Sequence, residues 1–249
     1  MIISLWLLGM LGVATLLPAI PQLLAAQPKV SEIPLAFILL ITTLQTGAFI
    51  FGAVLLGMAF SIRVDLAAPV INAIINREPI AARIKQQIIP SLIGGVTGGI
   101  FILFIASQFY PYLPEDFLLA AKKLFIPWYA KIFYGGVSEE ILLRWGLMSF
   151  LVWLSFKIFQ SGKGNVRSSH YVIAIVLAAF IFGLGHLPTA YALSSVVTTP
   201  LIGYIIIGNM SFGLIAGLLY WKYGLECAIS SHMVAHITMI IFEPLFLQS

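Results

Sequence analysis

Seven apolar stretches, most of them near or above the about 20 residues a helix needs to cross the hydrocarbon core, constrain this chain more than any other feature. They cover residues 2–24, 33–60, 88–109, 125–156, 171–187, 201–221 and 225–247. Runs this long and continuous do not suit barrel strands, and in lipid a helix satisfies its own backbone polar groups. Charge content agrees: 9% of residues are charged and 61% hydrophobic, with mean hydropathy +1.06, whereas a soluble domain carries about 25% charged residues. The expected fold class is all-α, a polytopic transmembrane bundle of about seven spanning helices with its active site in an intramembrane cavity. It forms one membrane domain: residues 1–124 supply N-terminal helices with a basic polar loop near 61–87, and residues 125–249 a helical core. Leu24-Ala25-Ala26 imitates a signal-peptide cleavage site. No positive residue precedes that run, however, and it exceeds an h-region, so it is expected to stay as a span.

The basic residues set an expected orientation. Arg63, Arg77, Arg83 and Lys85 lie between the second and third runs, Lys157, Lys163 and Arg167 between the fourth and fifth, and Lys222 after the sixth. One side then holds eight of thirteen basic residues, while Lys29, Lys122 and Lys123 lie on the other. By the positive-inside rule the N-terminus is cytoplasmic, with Trp153 and Trp221-Lys222-Tyr223 as an interfacial belt. The net charge of +4 is accounted for by orientation, and no nucleic-acid partner is inferred. A single cysteine, Cys227, excludes an intramolecular disulfide and a cysteine-based metal cluster. Gly94 and Gly98, Gly95 and Gly99, and Gly213 and Gly217 have the GxxxG spacing of close helix packing.

Ionisable groups inside apolar runs carry the chemistry. Ser138, Glu139, Glu140 and Arg144 sit in the fourth run, where each charge costs at least about 2.5–3.5 kcal/mol at the bilayer centre. Glu140 and Arg144, four apart, share a helical face and can pair. Glu139, rotated about 100° away on an α-helix, has no opposite charge at i±3 or i±4 and is left free as a general base. The structural alternative is a buried ion pair that only holds helices together. Three histidines join the acids: His186 just before Pro188, and His232 and His236 at i, i+4 on one face of the last run. His170, beside the basic loop, is expected to be solvated.

These residues resemble a known family. Glu139-Glu140-Ile-Leu-Leu-Arg144 is similar to the EExxxR signature of the CAAX protease and bacteriocin-processing intramembrane proteases, and Phe182-Gly-Leu-Gly-His186 to its FxxxH motif. His232, after Phe212-Gly213, Gly217, Leu219-Tyr220 and Gly224, resembles its third motif, a histidine followed four residues on by Asn or Asp. The resemblance covers about residues 125–240 and implies an intramembrane endopeptidase. In it Glu139 activates water with help from His186, Glu140 orients the site through Arg144, and His232 stabilises the oxyanion; Phe182 is a supporting residue. His236 departs from the pattern. Its imidazole could donate to the oxyanion as the amide would, or His186, His232 and His236 could form a zinc set with Glu139 as base; a metal-free site is favoured. The implied partners are the lipid bilayer and a peptide or protein substrate, such as a prenylated terminus or a bacteriocin-like peptide. An inactive membrane adaptor on the same fold and a proton- or cation-coupled transporter are the alternatives, the latter opposed by the lack of internal repeats.

One geometric tension accompanies this reading. His186 lies about 22 Å of helix rise beyond Tyr171, but His232 only about 10 Å beyond Leu225. The two imidazoles meet only if the boundaries differ or if Gly135-Gly136, Pro188 or Pro200 breaks a helix.

Overall fold

The computed structural model describes residues 1–21 and 33–246. Leu24-Ala25-Ala26, Lys29 and the expected ends of the first and last spans at 24 and 247 lie outside the described residues. In chain order the elements are α1 (Ile2–Leu16), α2 (Leu35–Phe60), α3 (Pro69–Ile75), α4 (Ala81–Phe109), α5 (Glu115–Lys123), α6 (Trp128–Gln160), α7 (Ser168–Gly185), α8 (Leu187–Leu193), α9 (Thr199–Tyr223) and α10 (Leu225–Phe246). No strand occurs among the described residues. Seven of these helices, some lengthened by a following helical turn or short helix, are long and apolar enough to cross a membrane. The chain is an all-α, multi-pass integral membrane protein.

Two expectations are corrected. The third span starts at Ala81, not residue 88, so Arg83 and Lys85 ride on α4 instead of in a loop. Ala81-Ala82-Arg83-Ile84-Lys85-Gln86-Gln87 contains good helix formers, and Arg83 anchors the turn before it by donating to the Pro69 carbonyl and pairing with Glu78. The fifth span starts at Ser168, which places His170 inside α7, where it is buried and not solvated. Both its ring nitrogens are satisfied: Nδ1 is 2.8 Å from Ser155 Oγ and Nε2 is 3.0 Å from Gln160 Oε1. A histidine with both nitrogens bonded can leave water without an unpaired polar group.

Glycine spacing governs the packing. On α4, Gly95 and Gly99 meet α10, where a Cβ would press on Val234 and on the Ala235 carbonyl. Gly94 and Gly98, one residue earlier in each pair, meet Leu219 and Phe212 of α9. The two registers seat one helix against two neighbours. Gly213 and Gly217 of α9 lie in the same way on Ala179 and Ile175 of α7. In lipid such close approach supplies the dispersion contact that the hydrophobic effect cannot.

The basic segments gather at one end of the bundle. Tyr171 Oη donates to the Val64 carbonyl at 2.8 Å, Leu225 N to the Ala67 carbonyl at 3.0 Å, and Ile71 N to Glu226 Oε1 at 2.7 Å. Trp221 stacks on Tyr171 at 4.7 Å and Trp153 lies against Phe60 at 4.4 Å. Thus α2, α6 and α9 end where α4, α7 and α10 begin. At the opposite end α5 is latched to the chain after α8: Asp116 accepts from Ser194 Oγ at 2.9 Å and from Ser195 N and Oγ, each at 2.6 Å.

Two predictions follow from this packing. A Cβ at Gly99 would stand 2.8 Å from the Ala235 carbonyl oxygen, so Gly99→Val should cost about 1–3 kcal/mol. Gly52, with open space around it, should tolerate valine within about 0.5 kcal/mol. Denaturation in mild detergent compares the two. The Asp116 carboxyl is pulled down to about 2, chiefly by the Ser195 hydroxyl, then by the Ser195 amide and the Ser194 hydroxyl. A folded-state value below the unfolded one stabilises the latch above the unfolded pKa, and that stability is lost as pH falls through the folded value. Amide exchange at Ser195, corrected for intrinsic rate, should therefore stay flat from pH 7 to pH 5 in the wild type, and should be faster but equally flat across that range in Asp116→Asn.

Candidate active site

The centre of α6 is wound wider than an α-helix. Lys131–Glu139 and Ile141–Met148 are π-helical, with Glu140 between them. Long π segments are rare, and π turns tend to mark functional positions. Neighbouring helices seat closely on this stretch. On one side Ser138 Oγ donates to the Gly9 carbonyl of α1 at 2.7 Å, and Gly146 lies on the Ala53 backbone of α2. On the other, the side-chain-free pair Gly135-Gly136 admits α10, with Met233 over Gly136 and His236 over Gly135. The glycine pair therefore does not break the helix, as one resolution of the depth tension required; it is a seat for another.

Winding places the two adjacent acids in different surroundings. Glu140 is fully buried, with Arg144 Nε 3.2 Å from its Oε2, and Arg144 is 1% exposed. The pairing expected from their spacing is present. Arg144 also donates from Nη2 to the Gly213 carbonyl at 3.1 Å and lies over the Phe182 ring at 5.3 Å. The second oxygen of Glu140 meets His232 Nδ1 at 2.8 Å, a link that spacing along the chain did not reveal. Glu140 thus ties α6 to α10 while Arg144 ties α6 to α9.

Glu139 is partly open, 17% exposed, with Oε1 3.8 Å from His186 Nε2. His186 Nδ1 lies 2.9 Å from the Phe182 carbonyl, an oxygen that can only accept, so Nδ1 carries the proton. In the neutral ring Nε2 is then an acceptor facing a carboxylate acceptor. Two acceptors 3.8 Å apart leave no room for an atom between them, but both lie within hydrogen-bond reach of a single donor set to one side of the pair. The depth tension is resolved by division of labour: His186 addresses Glu139 and His232 addresses Glu140, so the imidazoles need not reach one carboxylate. The break falls at His186 itself, which ends α7 immediately before α8.

Phe182 explains its own place in the motif. Its ring meets His186 edge-on at 4.7 Å and His232 at 6.1 Å, and its face carries Arg144. His232 and His236 stack with centroids 4.9 Å apart and planes 12° apart, and Phe212 packs against His232 at 4.4 Å. Both ε nitrogens approach the position a Cβ would take on Gly135; that of His232 would be 3.4 Å away and that of His236 closer. Gly135 is a site residue that pattern reading missed; the one available signal was a glycine pair four residues before two intramembrane acids.

The zinc alternative was tested on donor geometry. Glu140 engages Nδ1 of His232 and the Phe182 carbonyl Nδ1 of His186, which leaves Nε2 of each ring open to a substrate or a ligand. Among the described residues no three His, Cys, Asp or Glu side chains stand close enough together to hold a metal ion.

Residues 121–238 match the family model described as type II CAAX prenyl endopeptidase, Rce1-like. This segment is a CAAX protease family domain. Searches of curated proteins and of solved structures gave no significant match. The family domain contains Glu139, Glu140, Arg144, Phe182, His186, His232 and His236, and its family implies a peptide hydrolase. The helices before residue 121, among them α1 behind Ser138 and α2 behind Gly146, lie outside the match.

Removing one member of the buried pair leaves the other charge uncompensated. Arg144→Met should destabilise the fold by about 3–5 kcal/mol, and the double change Glu140→Gln with Arg144→Met should recover part of that loss. Thermal unfolding in detergent reads both.

Proposed function

We propose that the CAAX protease family domain hydrolyses a peptide bond near the membrane surface by a metal-free mechanism. The observation that carries this reading is the pairing of a partly open Glu139 with His186 at 3.8 Å, close enough for both to bind one water that lies beside them. Glu139 takes a proton from that water as its oxygen attacks the substrate carbonyl carbon, and His186 holds the water by its second proton. The carbonyl oxygen becomes an oxyanion directed at the ε nitrogens of His232 and His236. Collapse of the tetrahedral intermediate breaks the carbon–nitrogen bond. The proton held by Glu139 passes to the leaving amine, which gives a carboxylic acid and an amine and restores the carboxylate.

The roles of the remaining residues follow from their contacts. Glu140 accepts from His232 Nδ1 and so fixes the ring orientation; with a proton on each ring nitrogen, Nε2 donates to the oxyanion. Arg144 holds Glu140 and Phe182 in place. His236 supplies a second donor where the family motif has an amide or acid. Residues 125–249 make up the catalytic core and residues 1–124 the helices that support it. The substrate is a peptide or protein terminus that reaches the site from the membrane, a prenylated or bacteriocin-like peptide being the class that the resemblance implies.

Glu139→Gln should lower turnover by at least about 10²–10⁴-fold with little change in melting temperature, measured on purified protein with a quenched-fluorescent peptide. His236→Asn should keep activity within about tenfold, whereas His236→Leu should lose about 10²–10³-fold as an oxyanion donor is removed. A chelator should leave turnover unchanged. Loss on chelation with recovery on adding zinc would replace the metal-free mechanism, and a folded wild-type protein without peptidase activity on any peptide would favour the adaptor.

A further inference from the structure

At the end of the bundle away from the basic segments, a cavity of about 330 Å³ opens between α4, α5, α9 and α10. None of its lining residues belongs to the site described above. Phe117 and Tyr204 meet edge to face at 6.3 Å and form an apolar wall, which Ala121 and Ile240 extend. Lys122 and Glu243 line the cavity and are exposed to the exterior. The volume is at the small end of the about 300–1,000 Å³ seen in ligand pockets, enough for part of a ligand.

Two features connect this cavity to the chemistry. His236, Ile240 and Glu243 stand at i, i+4 and i+7 of α10, one face of a helix, so the cavity prolongs the histidine stripe. The rise from His236 to Glu243 is about 10 Å, which an extended peptide covers in about three residues. The second connection runs through the other wall: Asp116 latches α5 to Ser194 and Ser195, and these follow α8, which itself begins directly after His186.

We propose that this cavity is the subsite for a large apolar side chain of the substrate, about three residues from the bond cleaved. The inference rests on the peptidase reading and deepens it by naming a substrate feature. The apolar wall disfavours a charged side chain through the cost of desolvation, and one cation and one anion at the mouth give the flanking peptide no net charge preference.

The test uses the full chain in lipid nanodiscs and quenched-fluorescent peptides that carry Gly, Asp, Leu or Phe three residues to either side of the cleaved bond. The wild type should prefer Leu or Phe over Gly by about 10–200-fold in kcat/KM on one side. Ala121→Trp, which fills the cavity, should reduce that ratio by at least about tenfold, with the change in KM. As a second measurement that does not depend on turnover, Glu139→Gln protein should be crosslinked at α5 or α10 by a peptide with a benzophenone side chain at that position. Cleavage without side-chain preference, or crosslinks confined to other helices, would overturn the subsite alone. Crosslinking there by a benzophenone phospholipid but not by the peptide would assign the cavity to lipid and overturn it as well. Failure of folded wild-type protein to cleave any peptide would overturn the peptidase reading itself, and the two failures are therefore distinct.

Discussion

A fully buried carboxylate holds this protein together. Glu140 lies inside a membrane bundle, where an uncompensated charge costs several kcal/mol even after relaxation. Its two oxygens are met by Arg144 from the same helix and His232 from α10. Arg144 in turn reaches the Gly213 carbonyl on α9 and the Phe182 ring on α7. One ion pair thereby connects four spans. Glycines make those contacts geometrically affordable, since Gly135, Gly136, Gly213 and Gly217 let the backbones come close enough for short polar links.

In the mechanism proposed, Glu139 is free to act as a base because Glu140 has absorbed the structural role. Adjacent positions on a helix point in different directions, and here one direction ends in a buried ion pair and the other beside the partly exposed His186. The same division runs through the histidines. His186 is oriented by a backbone carbonyl and His232 by a carboxylate, which leaves the ε nitrogen of each unclaimed by those partners. The wide winding of Lys131–Met148 is part of this arrangement, and it is braced by α1 and α2 from behind. Helices outside the family domain thus help to shape the wall on which its acids stand.

The stacked imidazoles of His232 and His236 show how a departure from a family motif can be accommodated. An imidazole is larger than an amide, and its ring lies directly over Gly135, where any side chain would collide with it. A residue of another helix therefore decides whether position 236 can hold a histidine.

Sequence alone determined the class of fold, because apolar runs of span length leave helices as the conformation that satisfies the backbone in lipid. It also determined that Glu140 pairs with Arg144, since four residues bring them onto one face. His170 was misread because burial depends on Ser155 and Gln160, partners a turn or more away whose reach back to it cannot be seen from a basic loop's composition. Only the tertiary structure decided that His186 meets Glu139 while His232 meets Glu140, that Gly135 is the floor under two imidazoles, and that Phe182 is wedged among them. Those facts depend on where four helices cross. Crossing geometry is set by close backbone contact between residues far apart in the chain, and that is information no single helix carries in its own sequence.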